Sequence, residues 1–147
     1  MSGDASNDAH DHERRPRAVV FAHHEIGLRC LKVLLAGGVD VALVVTHADA
    51  GGDHESVASL CREERIHCIA PGGDDAPGLL QQVRDAMPDL MFSLGYGYLL
   101  PAALLAVAPA YNMHASLLPE FRGRSPVEWA VLHDAPVTGA SLHEMTA

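Results

Sequence analysis

Arg17-Ala18-Val19-Val20-Phe21-Ala22, then Glu25 to Ala36, then Val39-Asp40-Val41-Ala42-Leu43-Val44-Val45-Thr46 set the architecture of this 147-residue chain. The first stretch is short and β-branched, which suits a strand. The second places Ile26, Cys30, Leu31 and Leu34 on one helical face, and Gly37-Gly38 end it as a C-cap. The third is nearly all apolar, as a strand covered on both faces must be. Strand, helix and buried strand in that order call for a right-handed crossover and a parallel pair.

The alternation continues to the end of the chain. Glu55 to Arg65 reads as a helix and Ile66 to Ala70 as a third strand. A helix with Pro77 at its first position must stop near Met87, because Pro88 follows. Leu90 to Leu94 is a fourth strand, Gly95-Tyr96-Gly97-Tyr98 a flexible loop, and Leu99 to Val107 a short helix. Ala110 to Met113 is a fifth strand that delivers His114 at its end. Ser125-Pro126-Val127-Glu128 has the form of a capping box opening a helix to about His133. Thr138 to Met145 alternates and reads as a last strand. The expectation is an α/β fold with a doubly wound, mostly parallel sheet over residues 17–147, after a disordered leader over 1–16. Such sheets bind ligands at the carboxyl ends of their strands. Ala22-His23-His24, His47, Leu94-Gly95 and His114 all fall at that edge.

Composition narrows the function. With 48% apolar and 20% charged residues the chain has the balance of one globular domain. No apolar run approaches the roughly 20 residues that span a bilayer. Met1 to Arg15 has no apolar core of a secretory signal, so a cytoplasmic protein is expected. A net charge of −9 argues against a nucleic-acid-binding face, which needs clustered Lys and Arg. Cys30, Cys61 and Cys68 are scattered and odd in number, and read as small buried apolar groups in a reducing compartment.

Several chemistries fail on spacing. No G-x-G-x-x-G follows the first strand, and there is no phosphate loop ending in Gly-Lys-Ser/Thr. His10, His12, His23, His24, His47 and His54, with Asp49 and Asp53, show none of the spacings of a zinc site, so no metal is expected. His23-His24 can instead line a polar pocket. Ser116 and Ser141 lie outside a nucleophile elbow, and Ser116 reads as a turn residue bonded to the backbone. Asn112 and His114 remain. Two apart on a strand, they face the same side. A carboxamide can donate to a developing oxyanion, and an imidazole can move a proton near neutral pH.

Asn112-x-His114-x-Ser116-Leu117-Leu118-Pro119-x-x-Arg122-Gly123, with Thr138-Gly139 to Met145 after it, resembles the formyltransferases that use 10-formyltetrahydrofolate. Val20-Phe21-Ala22-x-His24, Thr46-His47-x-Asp49, Phe92-Ser93 and Leu142-His143-x-Met145 are most similar to the branch whose acceptor is UDP-4-amino-4-deoxy-L-arabinose, in lipid A modification. Methionyl-tRNA and glycinamide ribonucleotide formyltransferases share the central motif and less of these flanks. The resemblance implies a Rossmann-like catalytic domain with 10-formyltetrahydrofolate as co-substrate and a small amino-sugar nucleotide as partner. It implies that Asn112 stabilises the tetrahedral intermediate and His114 handles the proton. Tyr98, Leu99 and Leu100, with Arg124, match folate contacts.

Four departures accompany the resemblance, one of them a loop after Asp49 that is shorter than usual. Gly95, Gly97 and Tyr98 stand in a segment the family fills with aromatic residues, Arg and His. Glu120 replaces a residue that is often basic. The family's catalytic Asp is expected just beyond Ala147, so the domain is expected to be incomplete at its C-terminus, its last strand and sheet face partly uncovered. Losing one member of a cooperating triad costs on the order of 10³-fold or more, so weak activity, or a binding module without catalysis, is the matching expectation. The oligomeric state stays open.

Overall fold

The computed structural model describes residues 14–48, 55–73 and 76–146. Most of the expected leader, together with Asp49, Asp53 and His54, lies outside them. Six strands and five helices follow in the order β1 (Arg17–Ala22), α1 (His24–Ala36), β2 (Asp40–Val45), α2 (Val57–Glu63), β3 (Cys68–Ile69), α3 (Leu79–Asp85), β4 (Leu90–Leu94), α4 (Ala102–Leu105), β5 (Ala110–His114), α5 (Pro126–Leu132) and β6 (Ser141–Glu144). They form one sheet in the order β3-β2-β1-β4-β5-β6. The pairs from β3 through β5 are parallel, and β6 runs antiparallel to β5.

β1 explains why the sheet is covered twice. Successive strand residues face opposite sides. Ala18, Val20 and Ala22 pack with Leu28 and Leu31 of α1 and with Val57, Leu60 and Cys61 of α2. Val19 and Phe21 pack on the other side with Leu79 and Val83 of α3 and Leu104 of α4. All the β1 residues from Ala18 to Ala22 are fully shielded from solvent. Cys61 is buried and Cys30 and Cys68 half-buried, none of the three in a disulfide.

Sheet order reverses between β1 and β4, the position at which doubly wound sheets open a crevice. The connection after β1 is drawn tight there. The His23 amide donates to the Leu94 carbonyl at 3.2 Å. A Cβ on Gly27 would come within 2.6 Å of the Leu94 carbonyl oxygen, so only glycine lets α1 approach the sheet this closely.

Local readings need four corrections. α3 begins at Leu79 rather than Pro77, because Gly78 takes φ +83° and serves as the cap. α4 shrinks to Ala102–Leu105, since Pro101 holds itself and the residue before it out of the helical region. Ser125 precedes α5 but does not cap it. Its left-handed backbone (φ +54°, ψ +49°) turns the hydroxyl away from the amides that an extended cap residue would reach. The last strand starts at Ser141, not Thr138. A capping box does form at α2, where Ser56 accepts from the Ser59 amide and Ser59 accepts from the Ser56 amide. α5 buries only Ala130, leaving Trp129, Val131 and Leu132 exposed.

Candidate functional site

The antiparallel register of β5 and β6 builds the site. Asn112 lies opposite His143, and His114 opposite Ser141. Opposed residues of an antiparallel pair share a face, and so do residues two apart on one strand. Asn112, His114, Ser141 and His143 therefore form one patch at the end of the sheet where β1, β2, β4 and β5 also terminate.

Each member is held by a named bond. The Asn112 amide nitrogen lies 3.2 Å from His143 Nε2, and His143 Nδ1 lies 2.9 Å from the Glu144 carbonyl oxygen. His114 Nε2 is 2.9 Å from the Phe121 carbonyl oxygen. A carbonyl only accepts, so His114 carries its proton on Nε2, and Nδ1 of the neutral ring is left as the base. Phe121 reaches that position from the left-handed region, at φ +50°. Asn112 and His114 are both half-buried. They share a face as expected, but each bonds a different partner. The sequence offered His143 only as part of the Leu142-His143-x-Met145 match, and gave neither it nor the Phe121 carbonyl a role in the site. The signal for His143 was its spacing of two from Ser141 in an alternating strand, and only the strand register gives that spacing a meaning.

Two serines brace the turn that follows. Ser141 Oγ donates to the Ser116 carbonyl at 2.8 Å and accepts from the Leu118 amide at 3.1 Å. Ser116, fully buried, donates to the Glu120 carbonyl at 2.6 Å, which is the turn role expected of it.

The second half of the site lies across the crevice. His47 stacks on Tyr98 with ring centroids 4.7 Å apart, and its other neighbours are His23 at 4.3 Å and Tyr96 at 4.8 Å. His24 lies 4.0 Å from His23. The Gly97 amide donates to His47 Nε2 at 3.2 Å, which fixes the proton of the neutral ring on Nδ1. Burial, and then the charge of His24, hold the His47 pKa below its ordinary value. Tyr98 donates its hydroxyl to the Gly72 carbonyl at 3.3 Å. His23-His24 thus joins a ring cluster at the end of β1. Among the described residues no three His, Cys, Asp or Glu side chains are grouped to hold a metal.

The four residues matched to folate contacts divide. Tyr98 is 39% exposed and Leu99 85%, so both present surface on the loop after β4, whereas Leu100 is 6% exposed and packs in the core. Arg124 is exposed in the connection between β5 and α5. Among the described residues no helix is long and apolar enough to cross a membrane.

Comparison with known proteins matches the fold. The formyl transferase family model matches residues 23–147. Among solved structures, phosphoribosylglycinamide formyltransferase from Bacillus halodurans is 24% identical with a TM-score of 0.74, over 88% of this chain and 72% of its own. Glycinamide ribonucleotide transformylase 1 from Symbiobacterium toebii is 23% identical with a TM-score of 0.72, over 90% and 67%. A formyltetrahydrofolate deformylase from Pseudomonas syringae pv. tomato is 22% identical with a TM-score of 0.73, over 91% and 47%.

Proposed function

The chain belongs to the formyl transferase family, and on that ground we propose that it moves a formyl group from 10-formyltetrahydrofolate to the primary amine of an amino-sugar nucleotide, UDP-4-amino-4-deoxy-L-arabinose. One observation carries the reading: a carboxamide and an imidazole share a face at the end of the sheet, beside a loop that presents an aromatic ring and an apolar side chain. Tyr98 and Leu99 suit the flat, weakly polar ring system of a pterin. The acceptor assignment rests on the flanking matches at Val20 to His24, Thr46-His47 and Leu142-His143.

Formyl-folate supplies an activated one-carbon acyl group. The chain's residues then act in sequence. Tyr98, Leu99 and Arg124 hold the carrier. Asn112 has one amide N–H engaged by His143 and a second N–H to donate to oxygen as the carbonyl carbon becomes tetrahedral. His114 Nδ1 takes the proton that the attacking amine must lose and returns it to N10 as the bond from the formyl carbon to N10 breaks and tetrahydrofolate leaves. The Phe121 carbonyl keeps the imidazole in the tautomer that this step requires.

A single-turnover assay tests the proposal. The purified chain is mixed with 10-formyltetrahydrofolate and one acceptor, and released tetrahydrofolate is followed. The expected result is faster transfer to the amino-sugar nucleotide than to glycinamide ribonucleotide, cut about 10²- to 10³-fold by Asn112→Ala. Preference for glycinamide ribonucleotide overturns the acceptor. Calorimetric binding of formyl-folate without transfer to either amine overturns catalysis in favour of a binding module.

A further inference from the structure

We infer that His143 is a positioning residue: it sets which end of the Asn112 carboxamide donates within the site. This rests on the proposed transfer at β5, because it assigns a partner to the group that would stabilise the oxyanion.

The inference follows from a chain of donors and acceptors. The Glu144 carbonyl can only accept, so the 2.9 Å contact places the His143 proton on Nδ1. Nε2 of the neutral ring is then an acceptor. The Asn112 group at 3.2 Å from it must be the NH₂, not the oxygen. One N–H is spent on His143, and the carboxamide is left with one N–H and its carbonyl oxygen in fixed places. A backbone carbonyl on β6 thereby selects a tautomer, the tautomer selects an amide orientation, and the orientation decides what a ligand on this face meets.

Protonation of His143 reverses the order. With both ring nitrogens donating, the NH₂ of Asn112 would oppose an N–H, and a half-turn of the carboxamide restores the bond through its oxygen. The remaining N–H leaves the position from which it served the reaction. β6 pairs with β5, and the titratable groups around His143 on these strands are Tyr111 and His114 on β5 and Glu144 on β6. His114, as the base of the proposed transfer, must itself be unprotonated. Two histidines then set the acid side of the rate profile: one as the base, the other through the amide it orients.

Three forms of the chain test this: wild type, His143→Ala and His143→Gln. Glutamine offers an acceptor oxygen to Asn112 at every pH. His143→Ala is expected to lower kcat tenfold or more with KM for formyl-folate changed less than twofold, and His143→Gln to restore most of that loss. The acid limb of log kcat should have a slope near 2 in wild type and near 1 in His143→Gln. The side-chain ¹⁵NH₂ signals of Asn112 should shift with the titration of the His143 ring in wild type, a readout independent of turnover and of any variant's folding. His143→Gln as slow as His143→Ala, or an unchanged acid limb, overturns the positioning role. Asn112 signals indifferent to the His143 titration overturn it even if transfer proceeds. A chain that transfers no formyl group but shows the coupled titration refutes the proposed function and leaves the positioning intact.

Discussion

Replacing Gly95 by alanine tests how tightly the crevice is closed between β1 and β4. Gly95 sits at φ +67°, where an L-residue is strained. A Cβ there would also run into the Ile26 side chain and come within 2.9 Å of the His23 carbonyl oxygen. Two costs therefore add. Left-handed backbone at a non-glycine residue costs roughly 1–2 kcal/mol. Forcing a methyl group into packed surroundings costs about 1–3 kcal/mol more. Gly38 separates the two, because it has φ +79° and nothing within 4 Å of a Cβ. Urea unfolding should show Gly38→Ala destabilised by about 1–2 kcal/mol and Gly95→Ala by about 2–5 kcal/mol, at equal m-values. Equal losses for the two variants would refute the close approach of α1 to the loop after β4.

Other perturbations read different links. Leu104→Ala empties a fully shielded position between α4 and the sheet, and should cost about 2–5 kcal/mol in the same unfolding experiment. Ser141→Ala leaves the Ser116 carbonyl and the Leu118 amide without their partner, and should cost about 1–3 kcal/mol while loosening the turn that carries Phe121. Burial and then the charge of His24 lower the His47 pKa in the folded state, and a base whose folded pKa is depressed binds more protons when unfolded. Its contribution is complete above the ordinary histidine pKa and fades as pH falls below about 6.5, so melting temperature should drop there less steeply in His47→Gln than in wild type.

The architecture was legible because β1 and β2 are apolar on both faces, a composition that few arrangements other than a doubly covered parallel sheet satisfy. The edge positions followed directly, and His23, His47, Leu94 and His114 do end at one side. Boundaries were less legible, for identifiable reasons. Gly78 and Ser125 adopt left-handed backbone that propensity does not announce. Pro101 divides what periodicity joins into one helix. The site was half legible. Asn112 and His114 stand out by spacing, but His143 acts across an antiparallel rung, and pairing register between distant segments is not written in local pattern. Gly95 and Gly97 read as a flexible loop. In the fold both sit against neighbours, a Cβ on Gly95 running into the Ile26 side chain and one on Gly97 falling 3.3 Å from the His47 ring.

The connection from β5 to β6 departs at His114 and returns at Ser141, two residues that face each other on the same rung. Whatever lies between is therefore a closed detour: it can lengthen, shorten or change sequence without displacing the strands that carry Asn112 and His143. Two tethers tie it back to the strands, the Phe121 carbonyl on the imidazole and the Ser141 hydroxyl on the turn, and Ala130 of α5 is buried. Under the proposed function, exchange of the stretch after Arg124 is thus a route by which the same centre is refitted to a different amine while Tyr98, Leu99 and Arg124 stay in place.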